Sequence, residues 1–466
     1  MKKSQIGLIG LATMGANFAR NIANHKFRIS VYNRTTETME KFIEEYGNEY
    51  LNGEKNIKNF VNSLESPRKI IILVKAGPAV DAVITELLAH LEKNDIIIEC
   101  GNSQYRDTKR RFEELKAKNI NLIGCGISGG EEGALHGPSL MPGGSKLAWQ
   151  KIQALLEQVA ARDFNKGPCV SYIGSDGAGH YVKMVHNGIE YGVMQMMAEA
   201  YEMLRSIYKL SPNKISEIFA SYNRGKLKSY LFEISAEVLK AKDPYKKGYL
   251  IDFILDKAGQ KGTGRWTAID SMERAVATPS ISEAVYARVT SGEKDLRKKL
   301  SKLYKKPASK KIPLNIFLPI LRDGLYAGML SIYAQGYDLI QKTAQEEKWK
   351  IDLAEVSRIW EGGCIIRAKI LNYLHKAYGK SKGDKHLFEI KEISKDLKSN
   401  IPKLRKLVAN ASENGIPAPA LATAQYYFEA MTGENSSANF IQGLRDYFGA
   451  HTFERTDRKG RFHNNW

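Results

Sequence analysis

Short apolar runs rich in branched residues alternate with amphipathic stretches over roughly the first third of the chain. Five of the runs predict β-strands: QIGLI from Gln5, FRISVYN from Phe27, KIIILV from Lys69, DIIIEC from Asp95 and INLIGCGIS from Ile120. The stretches between them, such as TETMEKFIEEY after Thr35, repeat apolar residues at the helical period. This alternation predicts an α/β, Rossmann-like doubly wound parallel sheet with crossover helices.

The pattern changes near residue 174. Ser171–Ile173 is expected to form a last short strand, and Gly174–Gly179 a hinge. After it, long segments of helical periodicity such as GHYVKMVHNGIEYGVMQMMAEAYEMLRSIY predict a large all-α domain. The closing stretch is polar and carries glycines and aromatic residues, so it predicts a tail that is either disordered or docked onto something. We therefore expect a cofactor-binding domain over residues 1–176, a helical domain over 177–435 and a tail over 436–466.

Composition places the chain among water-soluble globular proteins, with 43% hydrophobic and 26% charged residues. No apolar run is long enough for a membrane span, and no secretory signal is visible. The four cysteines lie far apart, so neither a disulfide framework nor a zinc site is expected, and a cytoplasmic location is the default.

The formal net charge of +19 would attract anions, and nucleic acid is one candidate partner. The densest basic stretch, Glu293–Lys311, spreads its lysines around the helical circumference and lacks interleaved aromatic residues for base stacking. It is interpreted as a solvated helix end and loop. A phosphorylated substrate with a polyphosphate cofactor would also explain the charge, as would a lysine-rich surface without a specific partner.

A candidate cofactor site begins where the first strand ends, in Gly10-Leu11-Ala12-Thr13-Met14-Gly15. Gly10 permits a tight bend, the small Ala12 lets a phosphate approach the backbone, and Gly15 allows close packing of helix on sheet. The free N–H groups at the helix N-terminus would bind a pyrophosphate. A tight turn without a ligand remains the alternative.

Three further strand ends would meet the same crevice, because ligands bind at the carboxyl ends of parallel strands. The second strand ends in Asn33-Arg34-Thr35, where enzymes that select NAD carry an acid. Arg34 could pair with a 2′-phosphate, so NADP is favoured over NAD. The other strand ends hold Val74-Lys75-Ala76 and Asn102.

Candidate chemistry lies in KMVHNGIEY, whose five polar side chains are spaced to share one face of a helix. They are Lys183, His186, Asn187, Glu190 and Tyr191. An exposed polar face is the simpler interpretation, but the opposite side is no better suited to water, so we expect both faces to be buried, one of them against a ligand. Two glycine-rich clusters, around Ser128-Gly129-Gly130 and around Lys261 and Thr263, could receive a carboxylate or a phosphate, or could be turn-rich loops.

Taken together and in order, these motifs resemble the 6-phosphogluconate dehydrogenase family over almost the whole chain. The resemblance runs through GLATMGAN, NRT, VKAG, ECGNS, SGGEEGA, KMVHNGIEY, DKAGQKGTGRW, WEGGCIIR and RDYFGAHTFER. The family fingerprint is G-x-A-x-x-G, so Ala12 fits it. The resemblance implies an NADP-dependent oxidative decarboxylation of 6-phospho-D-gluconate to D-ribulose 5-phosphate and CO₂, in the oxidative pentose phosphate pathway and in gluconate utilisation.

The resemblance also implies roles for individual residues. Lys183 matches the general base at the C3 hydroxyl, and Glu190 matches the acid that protonates C1 of the enediol. Substrate contacts are implied for Asn102, Ser128, Gly129, Gly130, His186, Asn187, Tyr191, Lys261, Arg288, Arg445 and His451, with Thr263 a weaker addition. Cofactor contacts are implied for Gly10, Leu11, Ala12, Thr13, Met14, Gly15, Asn33, Arg34, Thr35, Val74, Lys75, Ala76 and Asn102.

In the family the tail reaches into the other subunit, which implies a homodimer with shared active sites. A base lysine must be neutral, and burial together with nearby positive charge is expected to lower its pKa. No metal is implied. The alternatives are a related β-hydroxyacid dehydrogenase acting on a non-phosphorylated 3-hydroxy acid and, more remotely, a nucleic-acid-binding protein.

Overall fold

A twisted sheet covered by helices on both faces forms the first part of the molecule, and a helical body forms the rest. The computed structural model describes residues 2–381 and 385–466. The sheet strands are β1 Ile6–Ile9, β2 Ile29–Tyr32, β3 Leu51–Gly53, β4 Lys69–Ile72, β5 Ile96–Glu99, β6 Asn121–Ser128 and β7 Ser139–Gly144. The helices of this part are α1 Thr13–Asn24, α2 Thr36–Tyr46, α3 Ile57–Asn62, α4 Pro78–Leu88, α5 Tyr105–Lys116, α6 Gly130–His136 and α7 Lys146–Val159.

The strands lie in the order β3-β2-β1-β4-β5-β6-β7, and all neighbours pair in parallel except β6 and β7, which are antiparallel. The five predicted strands and the doubly wound class are confirmed. The order reverses between β1 and β4, and such a switch point opens a crevice at the carboxyl ends of the strands. Ile and Val side chains fill both faces of the sheet.

Two strands were not predicted, and one predicted strand is wrong. β3 is short, and β7 contains a proline and two glycines, so neither shows an apolar alternation. Ser171–Ile173 does not pair as a strand, since only the residues beside it, Val170 and Gly174, form isolated bridges to β7. Residues 168–174 thus follow the edge of β7 without extending the sheet.

The second part is helical, as predicted. Its helices are α8 Ala178–Ser206, α9 Pro212–Tyr222, α10 Tyr230–Lys240, α11 Thr263–Glu273, α12 Pro279–Gly292, α13 Lys294–Leu303, α14 Leu314–Glu346, α15 Leu353–Ile359, α16 Lys369–Ser381, α17 Lys391–Glu413 and α18 Pro419–Thr432. Short 3₁₀ turns lie at Leu250–Asp252 and Leu387–Glu389. One continuous apolar core joins most of these helices. α13, in the basic stretch, has no buried residue, which confirms its interpretation as a solvated segment.

α8 connects the two parts of the molecule. It packs on β6 and β7 at its start and on α11, α12 and α14 further along. A Cβ on Gly179 would lie 2.3 Å from the carbonyl oxygens of both Gly124 and Met141. A Cβ on Gly126 would lie 2.3 Å from Cβ of Lys183. The predicted hinge at Gly174–Gly179 is therefore wrong: the absence of side chains there serves close packing of α8 against the sheet.

The tail forms a helix and a small hairpin, α19 Ala438–Gly449 with β8 Phe453–Glu454 and β9 Arg461–Phe462. Residues 431–441 are all exposed, so the tail leaves the helical body through a solvated stretch. Within the described residues, no helix is long and apolar enough to cross a membrane.

Candidate active site

The turn between β1 and α1 has the backbone geometry that a dinucleotide fingerprint requires. Gly10 has φ of +103°, and a Cβ there would lie 2.5 Å from the carbonyl oxygen of Leu73. A Cβ on Gly15 would lie 1.9 Å from the carbonyl oxygen of Gly10, so this glycine lets the helix approach the strand end. Ala12 is the N-cap of α1 and is exposed, and no side chain caps the helix. The first-turn N–H groups therefore face the crevice without a side-chain partner, as an anion site needs.

The loop after β2 combines a bracing residue with two exposed polar residues. Asn33 accepts a hydrogen bond from the backbone N–H of Leu11 through Oδ1 (3.0 Å) and donates to the carbonyl of Thr35 (3.1 Å). It thus ties the fingerprint turn to its neighbour. Arg34 and Thr35 are exposed beside it. This places a guanidinium at the strand end where selectivity for the ribose 2′ position is decided.

The loops after β4 and β5 are held together by a buried arginine that sequence reasoning missed. Arg111 of α5 donates to the carbonyl of Gly77 (3.1 Å), to Ser103 Oγ (3.5 Å) and to the carboxylate of Asp81. Glu99, at the end of β5, accepts from the N–H of Gly101 (3.0 Å) and from Ser103 (2.9 Å). The only sequence signal was an ionisable pair, Glu99 and Arg111, within otherwise core-forming elements. These contacts hold the exposed Lys75 and Asn102 at the rim of the crevice.

The polar face of α8 is buried, as predicted. Lys183 Nζ donates to Asn187 Oδ1 (2.6 Å) and lies 3.4 Å from His186 Nδ1. His186 Nε2 is 3.3 Å from Ser128 Oγ on β6, and its Nδ1 is 3.9 Å from Glu190 Oε2. The structure thus brings together four of the five α8 residues and Ser128 in one connected cluster, which lies where the sheet and the helical body meet.

Burial shifts the two ionisable ends of this cluster in opposite directions. Burial lowers the pKa of Lys183, and Glu190 together with the Cys364 thiol partly offsets that change. Burial raises the pKa of Glu190, and the cations Lys183 and Arg288 oppose the rise. The pKa of His186 is well below its usual value because of burial and of Lys183. The expectation of positive charge beside Lys183 is wrong, since its ionisable neighbours raise the pKa and burial alone lowers it.

The loop after β6 closes one side of the cluster. Gly129 and Gly130 have φ of +141° and +63°, and α6 begins at Gly130. A Cβ on Gly129 would lie 2.3 Å from the carbonyl oxygen of Gly363, so the loop packs on the WEGGCIIR segment. Gly130 is exposed, and its backbone is therefore accessible next to Ser128.

A second group of predicted residues gathers past Glu190. The Arg288 guanidinium lies over the ring of Tyr191, 3.5 Å from its centroid, and donates to the carbonyl of Gly259 (3.0 Å). Gly259 and Lys261 belong to a glycine-rich loop whose residues 252–261 are all exposed. Thr263 is buried at the start of α11. The structure thus brings Arg288 and Tyr191 together at this end of the cluster, and Lys261 lies two residues past Gly259 in the exposed loop.

Two predicted residues lie apart from this cluster. Arg445 is exposed on α19 and donates to Gln442, and His451 is exposed and packs edge-on against the ring of Phe448. All these contacts lie inside the tail. Within one chain the structure therefore does not bring Arg445 and His451 to Lys183.

The fold and the α8 cluster can now be compared with known proteins. A family model described as the NAD binding domain of 6-phosphogluconate dehydrogenase matches residues 5–174, and the model of that enzyme's C-terminal domain matches residues 179–466. The chain belongs to the 6-phosphogluconate dehydrogenase family.

Relatives of this family match along the full length of the chain. The NADP(+)-dependent, decarboxylating 6-phosphogluconate dehydrogenase of Bacillus subtilis is 45% identical over 100% of both chains. A decarboxylating 6-phosphogluconate dehydrogenase of Spinacia oleracea is 45% identical over 99% of this chain and 98% of its own. The Plasmodium falciparum 6-phosphogluconate dehydrogenase, solved alone, with its cofactor NADP+ and with its substrate 6-phosphogluconate, is 44% identical with a TM-score of 0.96, over 99% of this chain and 100% of its own.

Proposed function

We propose that this chain catalyses the NADP-dependent oxidative decarboxylation of 6-phospho-D-gluconate to D-ribulose 5-phosphate and CO₂, as a member of the oxidative pentose phosphate pathway. The observation that carries the proposal is the buried cluster of Lys183, His186, Asn187 and Glu190 beside Ser128. It joins an amine and a carboxyl group, both shifted toward their neutral forms, at the crevice of a dinucleotide-binding sheet. Full-length relatives that carry this activity in their names support the same function.

Lys183 is assigned the role of general base. Because burial lowers its pKa, a neutral amine is available to take the proton of the substrate's C3 hydroxyl. When bound, NADP supplies the acceptor for the hydride that leaves C3. The resulting ammonium of Lys183 then faces the new C3 ketone oxygen and stabilises the negative charge that develops there as the C1–C2 bond breaks and CO₂ leaves. Lys183 returns its proton to that oxygen, which gives the enediol.

Glu190 is assigned the role of general acid. Burial raises its pKa, which keeps a proton on the carboxyl group at a higher pH than for a carboxyl group in water. It donates that proton to C1 of the enediol, while Lys183 takes up the proton of the adjacent hydroxyl as the ketone of the product forms. Glu190 lies two helical turns past Lys183, along one edge of the cluster, so the two groups reach neighbouring carbons.

The residues at the crevice fit a dinucleotide with a 2′-phosphate. The uncapped N-terminus of α1 would hold the pyrophosphate, and the exposed Arg34 and Thr35 would hold the 2′-phosphate. Val74, Lys75, Ala76 and Asn102 complete the proposed cofactor contacts. None of the residues 33–35 is acidic, so none would repel the 2′-phosphate.

The substrate would lie between the two ends of the cluster. We assign its carboxylate and neighbouring hydroxyls to Asn102, Ser128, Gly129, Gly130, His186 and Asn187. Its phosphate would be held by Tyr191, Lys261 and Arg288, which form the cationic end. Because Lys261 belongs to the exposed loop 252–261, we expect the bound phosphate to order this loop.

A homodimer with shared active sites is part of the proposal. The exposed apolar side chains of α19 are spaced three and four residues apart along one face: Phe440, Ile441, Leu444, Tyr447 and Phe448. An apolar helical stripe of this kind is stable in water when another surface covers it. A second copy of the chain would cover it and would receive Arg445 and His451 beside its own Lys261 and Arg288.

The remaining expectations are retained as proposals. The functional units are residues 1–176, 177–435 and 436–466. The four cysteines are buried free thiols, which supports a reducing compartment and hence the cytoplasm. Neither nucleic acid nor a membrane is expected as a partner.

The test is an assay of the purified protein with 6-phosphogluconate and either NADP or NAD, with no added metal, followed by absorbance of the reduced nicotinamide and by release of CO₂. NADP reduction with an equal amount of CO₂ is the expected result. Lys183→Met should abolish turnover with little change in the Kd for NADP, and Lys214→Met, at an exposed lysine on α9, should leave turnover unchanged.

Two results would overturn the proposal. Reduction of NADP with a non-phosphorylated 3-hydroxy acid but not with 6-phosphogluconate would favour a β-hydroxyacid dehydrogenase. Turnover by Lys183→Met close to that of the wild type would remove the base assignment.

A further inference from the structure

A single buried carboxylate holds the tail together. Asp446 of α19 has a fully buried side chain in a segment that is otherwise exposed. It accepts hydrogen bonds from four donors in two later segments of the tail: the N–H of Thr452 (2.9 Å), and then His463 Nδ1 (2.9 Å), the N–H of Asn464 (3.1 Å) and Trp466 Nε1 (2.9 Å). A carboxylate has about four lone-pair sites, so this one is fully satisfied.

These donors draw residues 450–466 back over α19. Trp466 also packs against the rings of Tyr447 and Phe453. The N–H of Thr452 donates to Asp446, and its carbonyl accepts from Gln442 Nε2 (2.5 Å), so both backbone polar groups of this residue are fixed. The hydrogen bonds outweigh the effect of burial and lower the pKa of Asp446 to about 2, so the carboxylate stays ionised under ordinary conditions.

The turn fixed in this way carries His451. Ala450 and Thr452 on either side of it have φ of +47° and +61°, in the left-handed region that L-residues seldom adopt. Such a backbone persists only where its surroundings hold it. Arg445 immediately precedes Asp446 on α19. The four hydrogen bonds to Asp446, called the clasp below, therefore also fix the end of the helix from which the Arg445 guanidinium extends.

The two faces of α19 therefore do different things. Given 100° per residue, Asp446 lies on the face opposite Ile441, Leu444 and Phe448 of the apolar stripe, whereas Tyr447 lies at the edge and packs against Trp466. The clasp covers the Asp446 face of α19 with residues of the same chain and leaves the apolar face exposed for contact with another surface. Ordering of Arg445 and His451 before contact would reduce the conformational entropy that is lost on docking.

We propose that Asp446 is a positioning residue for the shared active site: by clasping residues 452–466 onto α19 it presents Arg445 and His451 in a preformed arrangement to the phosphate site of a second copy of the chain. The proposal rests on the shared-site dimer proposed above. It adds that the tail is folded by its own contacts, and that substrate affinity depends on a carboxylate that touches no substrate atom.

The first experiment separates substrate affinity from fold and assembly. Asp446→Asn keeps the size of the side chain but loses the charge and places an amide against the donors, and Trp466→Phe removes one donor and keeps a ring. We expect Asp446→Asn to raise the KM for 6-phosphogluconate by about tenfold or more, as expected from the loss of preorganised charge-assisted contacts. Trp466→Phe should raise it less, and the Kd for NADP and the elution volume of the dimer should not change.

The matched control is Asp457→Asn, at a half-exposed aspartate in the same tail that pairs with Arg455 and Arg458. It should leave the KM unchanged. An unchanged KM in Asp446→Asn would overturn the proposal. Loss of the dimer or of cooperative thermal unfolding in both Asp446→Asn and Trp466→Phe would also overturn it, because the residue would then support assembly and not presentation.

The second experiment mixes subunits. Asp446→Ala has an intact Lys183 and a defective tail, and Lys183→Met has an intact tail and no base. In a two-fold symmetric dimer that shares its sites, co-expression at equal levels should restore about a quarter of the wild-type activity at a low substrate concentration where neither variant alone turns over.

The result of mixing distinguishes the two levels of the proposal. Restored activity supports both the clasp and the shared site. An impaired Asp446→Ala that Lys183→Met does not rescue would overturn the shared-site dimer, and an Asp446→Ala with wild-type KM would overturn the clasp alone.

Discussion

Burial acts in opposite directions on the two ends of the α8 cluster. It favours the neutral amine of Lys183 and the neutral carboxyl of Glu190, while the attraction between their charged forms opposes both shifts. Asn187 accepts a hydrogen bond from Lys183 and carries no charge, so it orients the amine without stabilising the ammonium as a carboxylate would. The two shifts fit the proposed roles of Lys183 as base and Glu190 as acid.

The first residue-scale prediction concerns Glu190→Gln. The amide fills the same space but cannot donate a proton to carbon, so kcat should fall by about 10²–10⁴-fold with little change in the Kd for NADP. Steady-state kinetics and fluorescence titration with NADPH would measure both quantities. Glu202→Gln, at an exposed carboxylate on the same helix, is the control. A kcat within a few-fold of the wild type would show that another group supplies the proton.

Cofactor choice is the second prediction. Arg34→Asp replaces an exposed cation with an anion where the 2′-phosphate would lie. We expect kcat/KM for NADP to fall by about two orders of magnitude or more, as for the loss of a charge-assisted pair together with added repulsion, and kcat/KM for NAD to stay level or rise. Arg34→Lys, which keeps the charge, should lose far less. Unchanged preference for NADP in the aspartate variant would move the phosphate site elsewhere.

Sequence reasoning predicted the buried polar face of α8, because its polar side chains recur at helical spacing within one short motif. It assigned Asn33 to cofactor contact, whereas the structure also gives that side chain a bracing role toward Leu11 and Thr35. It missed Arg111 and Glu99, because their role depends on two loops that are adjacent only in the folded sheet. It correctly expected burial to lower the pKa of Lys183 but wrongly added an effect of positive charge, since a net charge does not say which side chains surround one amine.

At the scale of whole elements, the N-terminus of α18 is hydrogen-bonded to α8. α18 begins at Pro419, and its first free N–H groups, on Ala420 and Leu421, donate to the buried carboxylate of Glu199 on α8 (2.8 and 2.9 Å). A carboxylate at a helix N-terminus is stabilised by the helix dipole. This contact links α8 to α18, the helix from which the tail departs.

The contact predicts a pH dependence of stability. Burial raises the pKa of Glu199 from 4.5 to about 7, against the effect of its backbone hydrogen bonds. Between those values the folded protein holds a proton that the unfolded chain has lost. Raising the pH through this range should therefore cost up to about 3 kcal/mol of stability from this group, which is fully present below the lower value.

Thermal unfolding at pH 5 and at pH 8 would measure this effect. From pH 5 to pH 8 the Tm of the wild type should decrease relative to the Tm of Glu199→Gln, because the glutamine does not titrate. Glu217→Gln, at an exposed carboxylate on α9, should follow the wild type. Parallel pH profiles of the wild type and Glu199→Gln would exclude this titration.

Element types were predictable where periodicity was strong and failed where it was absent. The five apolar strands and the long buried α8 could be predicted from sequence, whereas β3 and β7 could not, because glycine and proline replace the apolar alternation in them. Ser171–Ile173 had a strand-like composition but runs beside the edge of β7 without a ladder. The glycines at the start of α8 were interpreted as a hinge because sequence does not distinguish freedom from close packing.

At the scale of the whole molecule, the tail is the least embedded unit. It joins the body through the exposed residues 431–441 and offers an apolar stripe. The sequence predicted that this segment would dock onto something or be disordered, and the helix with its hairpin provides a surface that a second copy can cover. The size of that surface cannot be derived from one chain's sequence, because it depends on how two copies meet.

The stripe carries the last prediction. Replacing Phe440 and Phe448 together with serine removes two large exposed apolar side chains from α19. The Kd of the proposed dimer should rise by at least about tenfold, given the apolar area lost, so the dimer should dissociate at a higher protein concentration. Activity should fall as the dimer dissociates. Sedimentation velocity over a dilution series would measure the change. Tyr245→Ser, at an aromatic residue that is 91% exposed outside the tail, is the control, and dimers of equal strength in both variants would exclude the stripe from the interface.

The close approach of α8 to the sheet has a consequence for how reactants enter and leave. Gly179 leaves no space between the first turn of α8 and the backbone of Gly124 and Met141, and Gly126 leaves none beneath Lys183. The sheet and the helical body thus pack backbone against backbone at this point, and a rotation that separated them would break these contacts. If the substrate and NADP bind as proposed, their entry and exit should therefore depend on the exposed residues 252–261 and on the tail of a second copy, and not on a change in the distance between Lys183 and the sheet.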